Sequence, residues 1–204
     1  MATTLEQIES PTLLVHMRPV FEMDDDMFAE FCRINRDLRI EMTAEGNLII
    51  MSPTGGRTGN RNAKLTQQVA NWADTNDTGV SFDSSTLFKL PDGAKRSPDV
   101  SWARREKLQQ LTDEQKDKFL PLCPDFVIEL RSASDSLVEL QEKMGAYIKN
   151  GAQLGWLIDP QQRRVFVYRA DNSVERMDNP NAITGEPLLS GFTLDLLPIW
   201  EADF

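Results

Sequence analysis

The chain has 204 residues, 40% hydrophobic and 26% charged, with a formal net charge of −10 and a single histidine, His16. That length and balance suit one globular domain whose core needs no staples. Cys32 and Cys123 stand in no metal-like spacing and read as reduced thiols. One histidine excludes a multi-histidine metal centre and a histidine-based nucleophile triad within one chain. No apolar run approaches the roughly 18 residues of a membrane span, and no basic-then-apolar leader opens the sequence. A cytoplasmic protein with no membrane partner is the expectation.

Residues 1–20 read as a loose arm, with Pro11 and Pro19 opposing a helix, and residues 21–204 as a single domain. Asp24, Asp25 and Asp26 supply the cap and first-turn acids of a helix through Ile34. Leu38–Met42 and Asn47–Met51 form two short strands about an Ala44-Glu45-Gly46 turn, and Ser52–Gly56 a loop. Leu65, Val69 and Trp72 fall at helical spacing between Asn60 and Asp74. Val80–Phe82 and Thr86–Leu90 suggest a hairpin, followed by a Pro91-Asp92-Gly93 turn, a strand over Pro98–Ala103 and a short polar helix over Thr112–Phe119. Phe126–Leu130 is an almost continuous apolar strand. Ser134 or Asp135 caps a helix that runs to Lys149 and stops at Asn150-Gly151. Strands over Leu154–Ile158 and Arg164–Tyr168 and a tail of short strands complete an α/β (α+β) domain with a mixed sheet.

Net acidity opposes phosphate binding, which leans on Lys and Arg. The charge is uneven, however: residues 51–110 hold nine basic and six acidic groups, enough for a local basic lip. Arg57, Arg61 and Lys64 lie at the start of the helix after the glycine-rich loop and are candidate phosphate contacts. That loop lacks the Gly-Lys-Ser/Thr ending of a nucleotide-binding P-loop.

Three segments carry chemistry. Along Phe126–Leu130, side chains alternate faces, so Glu129 shares a face with Val127 and Arg131. A glutamate in so apolar a run must be paired, protonated or metal-bound; a plain Glu129–Arg131 pair on an edge strand is the simplest case. Asp99 opens an apolar strand thirty positions earlier, and two adjacent strands would bring both carboxylates to one place. Their mutual repulsion is resolved by a hard divalent cation with oxygen ligands. On the following helix, Leu137, Leu140, Met144, Tyr147 and Ile148 form the core stripe. Lys143 lies on its flank, able to run its stem along the core and aim its ammonium past the strand end.

Together, Pro98-Asp99, Glu129-Leu130-Arg131-Ser132 and Lys143 resemble the PD-(D/E)XK nuclease superfamily. More narrowly, Asn47–Pro53, Ser97–Ser101, Asp125–Ser132 and Gly151–Arg169 resemble the Uma2 family (DUF820) of restriction-endonuclease-like proteins, over about residues 20–200. The resemblance implies a restriction-endonuclease-like core, a mixed sheet flanked by helices. It also implies phosphodiester hydrolysis, in DNA, assisted by Mg²⁺ with Mn²⁺ as substitute. Asp99 and Glu129 would hold the metal, Glu41 would match the early acidic residue beside it, and Lys143 would match a catalytic lysine migrated to the helix. The superfamily's usual lysine position holds Arg131, which keeps its proton too firmly for a base and would contact phosphate or pair with Glu129. The resemblance further implies a homodimer. The alternative is a catalytically silent nuclease-fold module that binds nucleic acid or a protein.

Overall fold

The computed structural model describes residues 12–203. Along the chain run β1 (Leu13–Val15), α1 (Asp25–Ile34), β2 (Arg39–Met42), β3 (Leu48–Met51) and α2 (Gly56–Asn76). They are followed by β4 (Gly79–Asp83), β5 (Phe88–Lys89), β6 (Lys95–Arg96), β7 (Val100–Arg104), α3 (Arg105–Gln109) and α4 (Asp113–Lys116). Then come β8 (Phe126–Leu130), α5 (Leu137–Lys149), β9 (Leu154–Asp159), β10 (Arg164–Arg169), β11 (Val174–Asp178), β12 (Ala182–Thr184), β13 (Thr193–Asp195) and α6 (Leu197–Trp200).

The central sheet has six strands in the order β11-β10-β9-β8-β7-β4. β8 and β9 are parallel and the other neighbours antiparallel, so the sheet is mixed. The parallel pair needs a crossover, which α5 provides. Both faces are covered, which explains the unbroken apolar run of β8. Phe126, Ile128 and Leu130 pack on Leu65 and Val69 of α2, while Val127 packs with Met144 and Tyr147 of α5. A smaller sheet, ordered β1-β3-β2-β6-β5, wraps α1 around Phe28, Ile40, Met42 and Leu48. β12 and β13 form a hairpin beside α2.

Several expectations change. Within the described part of the arm, Leu13–Val15 is an edge strand paired with β3; residues 1–11 lie outside the described residues, as does Phe204. The helix expected from Asn60 begins at Gly56, because tertiary anchors outweigh the poor helix propensity of Gly56 and Gly59. Val80–Phe82 and Thr86–Leu90 are not a hairpin: β4 joins β7 in the central sheet and β5 joins β6 in the small one. Ser136, not Ser134 or Asp135, caps α5 by accepting from the Glu139 N–H. Asp135 instead accepts from the Ser132 N–H at 2.7 Å, closing the loop before the helix. Among the described residues, no helix is long and apolar enough to cross a membrane.

Candidate active site

Glu129 is the fourth residue of β8, an interior strand and not an edge. β7 runs antiparallel beside it, with Val100 opposite Ile128 and Ser101 opposite Val127. One further step along this register sets Asp99, just before β7, across from Glu129. Facing positions in an antiparallel pair share a face. Asp99 is pinned by two donors: the Leu130 N–H reaches its Oδ2 at 2.8 Å and the Asn62 amide of α2 its Oδ1 at 3.2 Å.

Lys143, on the second turn of α5, points its ammonium at this place. It lies 2.9 Å from Glu129 Oε1 and 3.0 Å from Glu41 Oε1. Glu41 comes from β2 of the small sheet, and its residue is only 1% exposed. Its other oxygen takes a 3.1 Å bond from Arg96, and the Ser97 N–H donates to Oε1 at 2.9 Å. Tyr147, one helical turn beyond Lys143, donates its hydroxyl to Glu129 Oε1 at 2.9 Å. Both bonds to Glu129 fall on Oε1, which leaves Oε2 uncommitted.

Burial pushes the Glu129 carboxyl up to about 7; Lys143 opposes this, and Asp99 and Glu41 add to it. Asp99 is also raised, chiefly by burial, against the pull of the Leu130 N–H and Lys143. For Glu41, burial is outweighed by Lys143, Arg96 and the Ser97 N–H, so its carboxyl lies below the usual range. Burial disfavours the Lys143 ammonium, but Glu129 and Glu41 outweigh it and raise its pKa. The cluster is therefore a firmly ionised Lys143–Glu41–Arg96 group beside two carboxyls, Asp99 and Glu129, whose charge is poorly compensated.

The donors offered to a cation are hard oxygens, the kind that Mg²⁺ takes through one or two carboxylates while keeping waters. Glu129 Oε2 is uncommitted, and the Asn62 Oδ1 beside Asp99 is buried with no hydrogen-bond partner. These residues fit a water-rich divalent ion held by Asp99 and Glu129. They do not form a closed cage: among the described residues no three His, Cys, Asp or Glu side chains have the arrangement of a metal site. Glu41, also expected from the sequence beside the metal, is engaged here by Lys143, Arg96 and the Ser97 N–H and anchors the ammonium.

The remaining candidates make contacts outside the acid cluster. Arg131 does not pair with Glu129; it binds the buried Asp159 at 2.9 Å and the Asp135 carbonyl at 3.2 Å, tying β8 to β9 and the next loop. Arg61 donates to the Ile199 carbonyl at 2.7 Å and holds α6 against α2, while Arg57 reaches Asp203 at 2.8 Å. Lys64 is exposed on the same helix. Much of the basic excess of residues 51–110 is drawn into ion pairs. Lys95 pairs with Asp25, Arg96 with Glu41, Arg105 with Asp77, and Lys107 with Asp125.

Asn62, Arg96 and Tyr147 were not singled out for the site from the sequence. Arg96 adjoins the Ser-Pro-Asp segment, and Tyr147 stands four residues after Lys143, a spacing that puts both on one helix face. Asn62 carries no comparable signal.

Among solved structures, the chain is similar to a putative nuclease belonging to DUF820 from Anabaena variabilis ATCC 29413. The identity is 22% and the TM-score 0.67, over 79% of this chain and 89% of that one. A DrdV–DNA complex solved by cryo-electron microscopy matches at 20% identity and a TM-score of 0.39, over 59% of this chain and 10% of that one. The first likeness shows the fold; the second is too partial to carry an argument. A comparison with curated proteins finds no match. Residues 25–197, which contain every acid of the cluster together with Lys143, match the sequence model described as "Uma2: Putative restriction endonuclease", and the chain belongs to the Uma2 family.

Proposed function

We propose that the chain is a divalent-cation-dependent nuclease that hydrolyses phosphodiester bonds in DNA, with Mg²⁺ as its ion and Mn²⁺ as a substitute. The observation that carries this reading is the convergence of Asp99, Glu129 and the Lys143 ammonium at the ends of β7 and β8, with two carboxyls short of compensating charge. The ion, when bound, neutralises phosphate charge and lowers the pKa of water. Asp99, fixed by the Leu130 N–H and Asn62, and Glu129, held through Oε1 by Tyr147 and Lys143, present the oxygens for it. Lys143 has its pKa raised, so it acts as a fixed positive charge toward the transition state and not as a base. Glu41 and Arg96 hold that ammonium in place. A homodimer placing two such sites on two strands is part of the same reading.

The test is cleavage of single- and double-stranded DNA and RNA by purified protein, with and without Mn²⁺. The expected result is Mn²⁺-dependent cutting of DNA that falls at least about a hundredfold in both Asp99→Ala and Glu129→Ala. Cutting that survives both substitutions would refute the assignment.

A second reading is a silent module that binds without cutting. It is favoured by the commitment of Lys143, Arg96 and Arg131, the basic side chains at the site or next to it in sequence, to internal ion pairs, which leaves them less free for a phosphate backbone. Mn²⁺ binding without cleavage of any of the four substrates would select it.

A further inference from the structure

We infer that Asn62 belongs to the cation site, its side-chain oxygen accepting a hydrogen bond from water on the bound divalent ion. This rests on the metal-dependent reading above and adds a residue to it. The Asn62 amide nitrogen donates to Asp99 Oδ1 at 3.2 Å. That orientation fixes Oδ1 as the second atom of the same amide, and this oxygen is buried without a partner. A buried acceptor in that state calls for a specific explanation.

No donor of the described residues reaches it. The Leu130 N–H is bonded to Asp99, the Lys143 ammonium lies between Glu41 and Glu129, and Arg96 is bonded to Glu41 through Nη1, its Nε finding no partner of its own. Asn62 stands in the second turn of α2, past the helix N-cap at Gly55, so its side chain is not needed as a cap. The missing donor therefore comes from outside the chain. The uncommitted Glu129 Oε2 and the Asp99 carboxyl across from it in the strand register say what kind of group brings it: a hydrated cation. Asn62 then does two things with one amide, orienting Asp99 through nitrogen and the ion's water through oxygen.

The experiment is Mn²⁺ titration calorimetry on the full chain stripped of metal, with thermal unfolding of the metal-free proteins alongside. The variants are Asn62→Ala, Asn62→Asp, Asp99→Ala and, as a charge control on an exposed position of the same helix, Asn60→Asp. The expected result is a 10–100-fold loss of Mn²⁺ affinity in Asn62→Ala, as for groups that orient a metal's ligands. Asn62→Asp, which keeps the oxygen and loses the N–H, binds at least about tenfold tighter than Asn62→Ala. Asn60→Asp binds as the wild type does, and the melting temperature of metal-free Asn62→Ala falls only by the few degrees expected for one lost hydrogen bond to Asp99, so the protein stays folded during the titration.

If wild type binds, Asp99→Ala does not, and Asn62→Ala binds as wild type does, the inference fails while the metal reading stands. If Asn62→Asp binds more weakly than Asn62→Ala, only the grip on Asp99 matters and the inference is overturned. A wild type that takes up no Mn²⁺ refutes both.

Discussion

Replacing Lys143 by methionine keeps the stem against α5's neighbours and deletes the ammonium between Glu41 and Glu129. Those two residues are 1% and 4% exposed, so water cannot take over the neutralisation. Removing one partner of a buried ion pair costs about 3–5 kcal/mol. For a chain of this length that is a fall of roughly 6–20 °C in melting temperature, at about 2–4 °C per kcal/mol. The loss depends on pH with a definite sign. Glu129 has its pKa raised from 4.5 to about 7. Between those values the folded state holds more protons than the unfolded one, so the Glu129 contribution is full at low pH and is lost as pH rises through about 7. Without the ammonium a proton takes its place on Glu129 at pH 5, whereas at pH 8 Glu129 must be buried as a carboxylate with only the Tyr147 hydroxyl beside it, and Glu41 keeps only Arg96 and the Ser97 N–H. Urea unfolding in EDTA at pH 5 and pH 8 should therefore show a deficit for Lys143→Met roughly twice as large at pH 8. Equal deficits at the two pH values, or a loss below about 1 kcal/mol at pH 8, would refute the view that the ammonium compensates buried carboxylates.

Three further outcomes are expected. Because the Glu129 proton must leave before the carboxylate holds a cation, Mn²⁺ affinity measured by calorimetry should climb with pH up to about 7 and then level off. Arg131→Ala strands the wholly buried Asp159 and should cost about 3–5 kcal/mol in denaturant unfolding, yet leave Mn²⁺ affinity within about twofold. A tenfold loss of affinity would return Arg131 to the site. Gly79→Ala puts a methyl 2.3 Å from the Ala103 carbonyl, a backbone atom that cannot step aside, and should cost about 1–3 kcal/mol or more. The methyl of Gly155→Ala, 2.4 Å from the flexible Met144 Cε, should cost less in the same assay.

Segments with one strong local signal were readable in the sequence. The apolar run of β8, the Asp24 cap of α1 and the stripe of α5 state their structure through period and capping chemistry, and they position Glu129 and Lys143. What failed was pairing at a distance. β4 and β5 look like a hairpin because they are neighbours in sequence, but partner choice follows which face each strand buries, and that is set by the two cores. Arg131 misled for a related reason: alternation gave it the face of Glu129, yet at the strand end its long side chain turns to Asp159, a residue 28 positions away that no local pattern links to it. Asn62 was silent because a polar residue on an amphipathic helix looks like solvent-facing surface until the partner across the fold is known.

Glu41 belongs to the small sheet and Glu129 to the central one, and a single side chain, Lys143, reaches both. The outer layer built from α1 and its strands thus supplies one of the cluster's charges and is not mere cover. A partial opening that peeled this layer away would leave the central sheet standing while the lysine lost its second anchor and the remaining acids opened to solvent. Integrity of the charged cluster is in this way a report on whether two separate packing units are docked, and residues that secure that docking can tune it without touching any of its members.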